Sequence, residues 1–415
     1  MDPLLPVVHP VCCGLDVHRQ SVTACLLTTG ASGAVAKEIR VFRTVTEQLH
    51  ALVQWLHQVG CRDVVIESTG VYWQPLYRLL EADGQRVVLV NAQHVKHVPG
   101  RKTDVKDAEW LATLLRVGLL RGSFVPPPVQ QALRTVTRYR TQLLHERATA
   151  ANRLHKLLEM GGIKLSSVAS DILGVSGRAM LAALSAGEED PKALAQLARK
   201  QLRAKLPDLE AALRGVLSVT DRWLLGEELQ HLTSLEEAIA RLDAKVAEMC
   251  LPFAHILAIL DQIPGVGERT AQVIVAEVGL DMSRFPTVGH LASWAGMCPG
   301  QNESAGKRRS GKTRKGNQWL RAALVEAGWA ASHSKNTSLV TTYQRLAKRR
   351  GKKRACVAVG HRILRIVDSL LRNPRPYQEG GPEYYEPTPK EHIAANLVKR
   401  LQKLGYQVTV ERPAA

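Results

Sequence analysis

Between residues 11 and 90, short apolar runs alternate with segments of helical periodicity, and this order restricts the fold more than any other feature of the chain. Residues 11–17 read Val-Cys-Cys-Gly-Leu-Asp-Val, an apolar run that closes on an acid. Strand-like runs follow at Ser21–Thr28 and Ala34–Phe42. Residues 44–59 place Leu49, Leu52, Val53 and Leu56 on one helical face. Val64, Val65 and Ile66 form a further apolar run that ends at Glu67, Val71–Ala82 reads as a helix, and Val87–Val90 is one more strand. Three strands, then helix, strand, helix, strand, is an α/β pattern. The first three runs are close enough in sequence for an antiparallel meander. The later ones need helical crossovers, so the sheet is expected to be mixed.

The run Pro126-Pro127-Pro128 breaks the chain, and the texture then changes. Leu133, Val136, Leu143, Ala150, Leu154 and Leu157 recur at spacings of three and four, and the seam returns at Leu225, Leu229, Leu232, Ile239, Leu242, Val246 and Met249. Two long amphipathic helices with coiled-coil-like periodicity are predicted, most simply as an antiparallel pair. A third, mainly helical region begins near Pro252, and prolines and glycines from Pro374 onward read as a linker before a last helix and short strand over 391–411. The expected domains are therefore 8–125, 126–251 (a helical arm suited to oligomerisation), 252–372, and a linker and tail at 373–415.

Lys and Arg total 56 against 38 acidic residues, a net charge of +18, which suggests a polyanionic partner such as nucleic acid. The charge is focused. From Lys307 to Arg354 there are 15 Lys or Arg and one acid, Glu326, so this stretch alone carries +14. Trp294, Trp319, Trp329 and Tyr343 lie around it, as stacking platforms for bases or as core. The 7 cysteines are scattered and form no Cys-x-x-Cys pair, so neither a zinc site nor a disulfide framework is indicated. No apolar run approaches the roughly 18 residues needed to span a bilayer. A protein of the cytoplasm, without a membrane partner, is expected.

Asp16 and Glu67 each close a strand. If strands 1 and 4 are neighbours, the two acids lie side by side, where they repel unless a cation sits between them. Asp104 and Asp107 stand three apart at a helix start and so face the same way. Oxygen ligands of this kind select Mg²⁺ or Mn²⁺. Taken singly, each acid has a structural reading as well; Asp104, for one, could be a helix N-cap. Taken together, two strand-end acids followed by Asp-x-x-Asp on a helix can hold two metals for phosphoryl chemistry.

The pieces GLDVH (14–18), ESTGVYW (67–73) and KTDVKDAEWLA (102–112) resemble the transposases of the insertion-sequence "one hundred and ten" (IS110) family. The resemblance implies a ribonuclease-H-like, RuvC-like DEDD domain over residues 11–125, with Asp16, Glu67, Asp104 and Asp107 as metal ligands. It extends over residues 253–335, which look like the family's C-terminal transposase domain. There Pro299, Glu303, Ser304, Gly306, Lys315, Gly316 and Asn317 match the setting of a nucleophilic serine, with Ala305 standing where many members have glycine. From the residues alone Ser304 is an ordinary loop serine, with no local His–Asp pair to activate it, and Ser310 lies close by. Ile263-Pro264-Gly265-Val266-Gly267 resembles a helix-hairpin-helix, whose Gly265 and Gly267 would let backbone N–H groups approach a phosphate. The basic residues Lys307, Arg308, Arg309, Lys312, Arg314 and Lys315 are the remaining nucleic-acid contacts expected.

The family implies a recombinase that acts on element ends and target DNA through a phosphoserine. It implies assembly as a dimer or tetramer around an element-encoded structured guide RNA, in the cytoplasm of a bacterial or archaeal cell and at its nucleoid. Two other classes fit the residues. One is a metal-dependent, junction-resolvase-like nuclease that uses water in place of serine. The other is a non-catalytic nucleic-acid-binding protein.

Overall fold

In the computed structural model, the described residues are 6–30, 32–67, 70–91, 95, 107–120, 122–300, 303–304, 306–308, 310–380, 398 and 401–409. The chain divides into two compact units, Met1–Pro126 and Pro127–Ala415.

The first unit is built on a five-stranded sheet. Its strands are β1 (Val11–Val17), β2 (Ser21–Thr29), β3 (Val35–Arg43), β4 (Asp63–Glu67) and β5 (Arg86–Val90), joined by the helices α1 (Thr46–Gln58) and α2 (Trp73–Ala82). The order is β3-β2-β1-β4-β5. β1–β2 and β2–β3 pair antiparallel, while β1–β4 and β4–β5 pair parallel. The expected mixed sheet is therefore formed, with strands 1 and 4 as neighbours. This is the strand order of a ribonuclease-H-like sheet.

Side-chain alternation makes two cores. Cys13, Leu15, Val22, Leu26, Val64 and Ile66 face α1 and α2, where Leu52, Leu56, Leu76 and Leu80 are buried. Cys12, Cys25, Leu27, Val65 and Val90 face the other way, onto α3 (Asp107–Arg116) and its Ala108, Leu111, Ala112 and Leu115. A strand buried on both faces reads as a continuous apolar run, as β1 and β4 do. The outer strand β3 is mostly exposed and carries Lys37, Glu38, Arg40 and Arg43, charges that discourage edge-to-edge pairing.

The second unit opens with α4 (Pro128–Met160), whose first-turn proline is preset for a helix start. The short helices α5 (Leu165–Val168), α6 (Val175–Ser185), α7 (Pro191–Gln196) and α8 (Leu206–Ala212) follow. Then comes α9 (Val219–Cys250), started by a capping box between Ser218 and Asp221. The two long helices run antiparallel. Arg140 pairs with Asp243, Arg147 with Glu236 and Arg153 with Glu228, so one number rises as the other falls. Leu143, Ala150, Leu154 and Leu158 meet Leu225, Leu232, Leu235 and Ile239, with the short helices closing the same apolar cluster. Leu158, not Leu157, is the fully buried member of its turn, and Leu235 joins the seam.

The remaining elements are α10 (Ala254–Asp261), α11 (Glu268–Val278), α12 (Val288–Trp294), the two-residue strands β6 (Glu303–Ser304) and β7 (Lys307–Arg308), α13 (Gln318–Ala331), α14 (Ser338–Arg350) and α15 (Lys352–Arg372). Their helices enclose one apolar core with the first turns of α4. Of the helix and short strand expected over 391–411, residues 398 and 401–403 are helical, residues 406–409 form no strand, and the rest apart from the turn at 404–405 lies outside the described residues. No helix of the described residues is long and apolar enough to cross a membrane.

Candidate active site and nucleic-acid interface

The register between β1 and β4 positions the first two acids. Gly14 pairs with Val65 and Leu15 with Ile66, so Asp16 and Glu67 come next on adjacent parallel strands. Side chains alternate along a strand. Cys12 and Val65 lie on the α3 side, so Gly14, Asp16 and Glu67 fall on that side too. Both acids stand at the carboxyl ends of their strands, where open α/β sheets place their ligands.

The helix that covers this face carries the third acid. Asp107 is the first described residue of α3 and is exposed, beside the buried Ala108. Gly14 allows the approach, because a Cβ there would lie 2.2 Å from the Ala108 carbonyl oxygen and 2.6 Å from the Ala112 nitrogen. Asp104 lies outside the described residues. Asp16 is half-buried, with Oδ2 3.1 Å from Nε2 of the exposed His18. His18 sits two residues on from Asp16, a spacing that keeps strand side chains on one face and could have flagged it from sequence. Among the described residues, no three His, Cys, Asp or Glu side chains stand close enough to hold a metal ion. The described acids share an edge without closing into a ligand set. Their all-carboxylate chemistry nevertheless fits a hard divalent cation.

Because the contact at Gly14 is backbone against backbone, Gly14→Ala has no flexible side chain to push aside. The variant is expected to lose about 1–3 kcal/mol of stability, as overpacked cores do, and to displace Asp107 from the sheet edge. Urea unfolding checks this, and a loss under about 0.5 kcal/mol, the size of an ordinary surface change, would contradict it.

In the second unit the basic stretch forms a hairpin. Gly300 N–H donates to the Lys312 carbonyl at 2.8 Å, Pro299 bridges to Thr313, and Arg314 N–H donates to the Cys298 carbonyl at 3.3 Å. Further out, Glu303 pairs with Arg308 and Ser304 with Lys307. Ser304 is therefore the last paired residue described before the turn at Gly306, whose φ of +73° is where glycine costs least. Lys307 and Arg308 form the returning strand, Lys312, Arg314 and Lys315 are exposed beyond it, and Arg309 lies outside the described residues. Ser310 is used locally, its Oγ accepting the Lys312 N–H at 3.2 Å.

The base of the hairpin is fixed from below. A Cβ at Gly316 would lie 2.3 Å from the Gly296 nitrogen, so the two glycines let the incoming and outgoing chains touch. Asn317 N–H donates to the Trp294 carbonyl at 3.0 Å, and its Oδ1 caps α13 by accepting from Trp319 and Leu320 N–H, both at 3.1 Å. Asn317 Nδ2 donates at 2.6 Å to Glu277, a fully buried carboxylate that also holds Arg138 through two bonds of 2.7 and 2.8 Å. Arg138 and Arg134 then lie over the rings of Trp319 and Trp294. Of the aromatic residues around the basic stretch, Trp294, Trp319 and Tyr343 are thus half-buried in packing, and Trp329 is the exposed one.

The turn 262–267 joins α10 to α11. Gly265, at φ +85°, packs on α13, where a Cβ would lie 2.3 Å from the Ala327 carbonyl oxygen. Its missing side chain thus serves helix packing, whereas Gly267, at the start of α11, faces open space.

Comparison with known proteins gives two family matches in chain order. A model described as "Transposase", of the IS110 DEDD type, matches residues 13–161, and one described as "Transposase IS116/IS110/IS902 family" matches residues 257–344. Together they span more than half of the chain, and they define it as a transposase. The transposase for insertion sequence element IS1111A of Coxiella burnetii is 28% identical over 78% of this chain and 81% of its own length. The pilin gene-inverting protein of Moraxella bovis is 23% identical over 88% of this chain and 97% of its own length. Among solved structures, that of Thermus thermophilus RuvC aligns at 16% identity over 27% of this chain and 99% of its own, with a TM-score of 0.21. The chain belongs to the IS110 family of transposases.

Proposed function

We propose that the protein is a site-specific recombinase that cuts and joins DNA at element ends and target through a phosphoserine on Ser304. The observation that supports this best is the sheet edge. Asp16 and Glu67 end adjacent parallel strands on one face, and the helix pressed onto that face carries Asp107. With Asp104 of the same segment, these carboxylates would hold Mg²⁺ or Mn²⁺. Such an ion, when bound, stabilises negative charge on oxygen and lowers the pKa of a hydroxyl near it.

Ser304 Oγ attacks a DNA phosphorus. The Oγ–P bond forms as one strand P–O bond breaks, the serine proton leaves to a carboxylate or water, and the displaced strand oxygen takes one up. A hydroxyl of the partner strand then attacks the phosphoserine and frees Ser304. Each step exchanges one phosphoester for another, so joining requires no nucleotide cofactor. The hairpin cations Lys307, Arg308, Arg309, Lys312, Arg314 and Lys315, with the Gly265–Gly267 turn, bind phosphates along the way. The carboxylates and Ser304 reside in different units of the chain, and the protein acts as a dimer or tetramer. An element-encoded structured RNA chooses the DNA, at the nucleoid in the cytoplasm, and the focused positive charge suits its backbone.

The test is strand joining in vitro with full-length protein, element-end and target DNA, the element transcript and Mg²⁺. Asp16→Asn and Glu67→Gln are expected to lower joining at least about 100-fold, since even groups that only orient a metal ligand cost about 10–100-fold when lost. Omitting the transcript is expected to abolish joining. Full joining by Asp16→Asn would remove the carboxylates from the chemistry, and full joining without transcript would remove the RNA.

A further inference from the structure

Between α14, α15 and the segment 375–380 lies a cavity of about 770 Å³. That is within the roughly 300–1,000 Å³ of sites that hold small organic ligands. One stripe of α15 faces it with His361, Arg362 and Arg365, and Arg375 closes it from the segment beyond. The opposite stripe of the helix, Val359, Ile363 and Val367, is core.

Part of the positive charge here is uncompensated among the described residues. Arg362 donates to Thr342 Oγ1. Among the described residues, Arg365 and Arg375 make no ion pair. Burial, and then the Arg365 guanidinium, hold the His361 imidazole below its usual range, so an anion entering here would draw it back up. Glu379 bonds to the wall: its Oε1 accepts Ser338 N–H at 3.0 Å and its Oε2 accepts the Tyr377 hydroxyl at 2.8 Å. Tyr377 N–H in turn donates to Gln262 at 3.0 Å. The segment is thus tied down at both faces and leaves an aromatic ring in the lining.

We infer that this cavity binds the phosphodiester backbone of a single nucleic-acid strand, taking one nucleotide with its flanking phosphates between Arg365 and Arg375. A lone phosphate would not fill the volume, and a duplex presents a convex backbone that a pocket between two helices does not follow. Cations on two walls and a tyrosine in the lining suit a strand whose base stacks while its phosphates are gripped. The site is separate from the serine hairpin, and the inference requires binding only, not catalysis through Ser304.

The experiment measures fluorescence anisotropy of fluorescein-labelled 12-nucleotide RNA and DNA strands, and of the 12-base-pair DNA duplex, with full-length protein across a KCl series. The double variant Arg365→Gln/Arg375→Gln is expected to bind at least one of the two strands about tenfold more weakly. Its log–log salt slope should be smaller by about 1.4, at about 0.7 per phosphate contact on a single strand. Whether RNA or DNA shows the loss names the strand, and duplex binding should stay within about twofold. Unchanged strand binding, or an equal loss on the duplex, would overturn the assignment. If the variant fails to fold, 4-thiouracil-bearing strands are photocrosslinked to the native protein and the sites mapped by mass spectrometry. Crosslinks at Tyr377 or Gln378 support the pocket, and crosslinks confined to residues 307–315 overturn it.

Discussion

Ser304→Ala protein is expected to form no covalent protein–DNA adduct, to lose strand joining by at least about 10⁴-fold, and to bind DNA as the native protein does. The substitution removes one hydroxyl and leaves the backbone of the hairpin in place, since Ser304 pairs with Lys307 through main-chain atoms. Alanine tolerates that extended backbone, and every hairpin cation is retained. A loss of joining therefore reports on the nucleophile and not on the loop. Ser310→Ala is the matched control. Its hydroxyl accepts one hydrogen bond from Lys312 N–H, worth about 1 kcal/mol, so it should keep the adduct. Denaturing gels of protein incubated with labelled element-end DNA separate the outcomes. An adduct that persists in Ser304→Ala and vanishes in Ser310→Ala would move the chemistry to the other serine. Cut ends with no adduct in native protein would favour a nuclease that uses water.

The sheet edge was legible because strand side chains alternate and the apolar runs end on acids. Parity alone predicts Asp16 beside Glu67 once β1 and β4 are neighbours, and their pairing is as expected. What covers that face was less legible. The Asp104–Asp107 spacing suggests a helix start, but only the backbone contact at Gly14 shows how closely that helix approaches. In a sequence, Gly14 is one more glycine within an apolar run. The serine hairpin illustrates the same limit. Its Pro, Gly and Lys-Gly-Asn positions were readable as a pattern, yet their reasons are crossings between distant backbone segments, Gly296 on Gly316 and Asn317 against Trp294. Gly265 carried a phosphate reading from its motif, while its missing side chain admits α13. The cavity beside α15 could not be read at all, because Arg375 and Tyr377 belong to a stretch whose prolines and glycines look like linker. Local periodicity carries the elements, but contacts between residues tens of positions or more apart in sequence carry the support of the site.

The largest effect on stability is expected at Glu277, where three such contacts meet. Its carboxylate is fully buried and holds Arg138 by two short bonds and the side chain of Asn317 by a third, and Arg134 Nε lies 3.5 Å away. Arg138 is separated from Glu277 by 139 positions, so this one side chain ties the first long helix of the second unit to α11. Burial already lowers the Arg134 guanidinium to about 10, against which Glu277 is the main opposing influence. Glu277→Ala removes that influence, leaves two guanidinium groups without their carboxylate and opens a void. Breaking a buried pair from one side costs about 3–5 kcal/mol, well above a typical surface change. Arg138→Ala should cost less, because its side chain is 37% exposed and water can replace part of what it loses. Glu277→Gln should fall between the two, since the amide retains an acceptor but not the charge. The consequence for chemistry follows from Asn317. It caps α13 directly after Lys315-Gly316, so losing its anchor loosens the base from which Ser304 is presented. Glu277→Ala that still folds at low temperature should accordingly form adduct more slowly while binding DNA nearly as well. Urea unfolding and adduct formation at 10 °C measure the two effects separately. A stability loss below about 1 kcal/mol would show that Arg134 and Arg138 find other partners, and that the buried carboxylate is not what holds the hairpin base to the long helix.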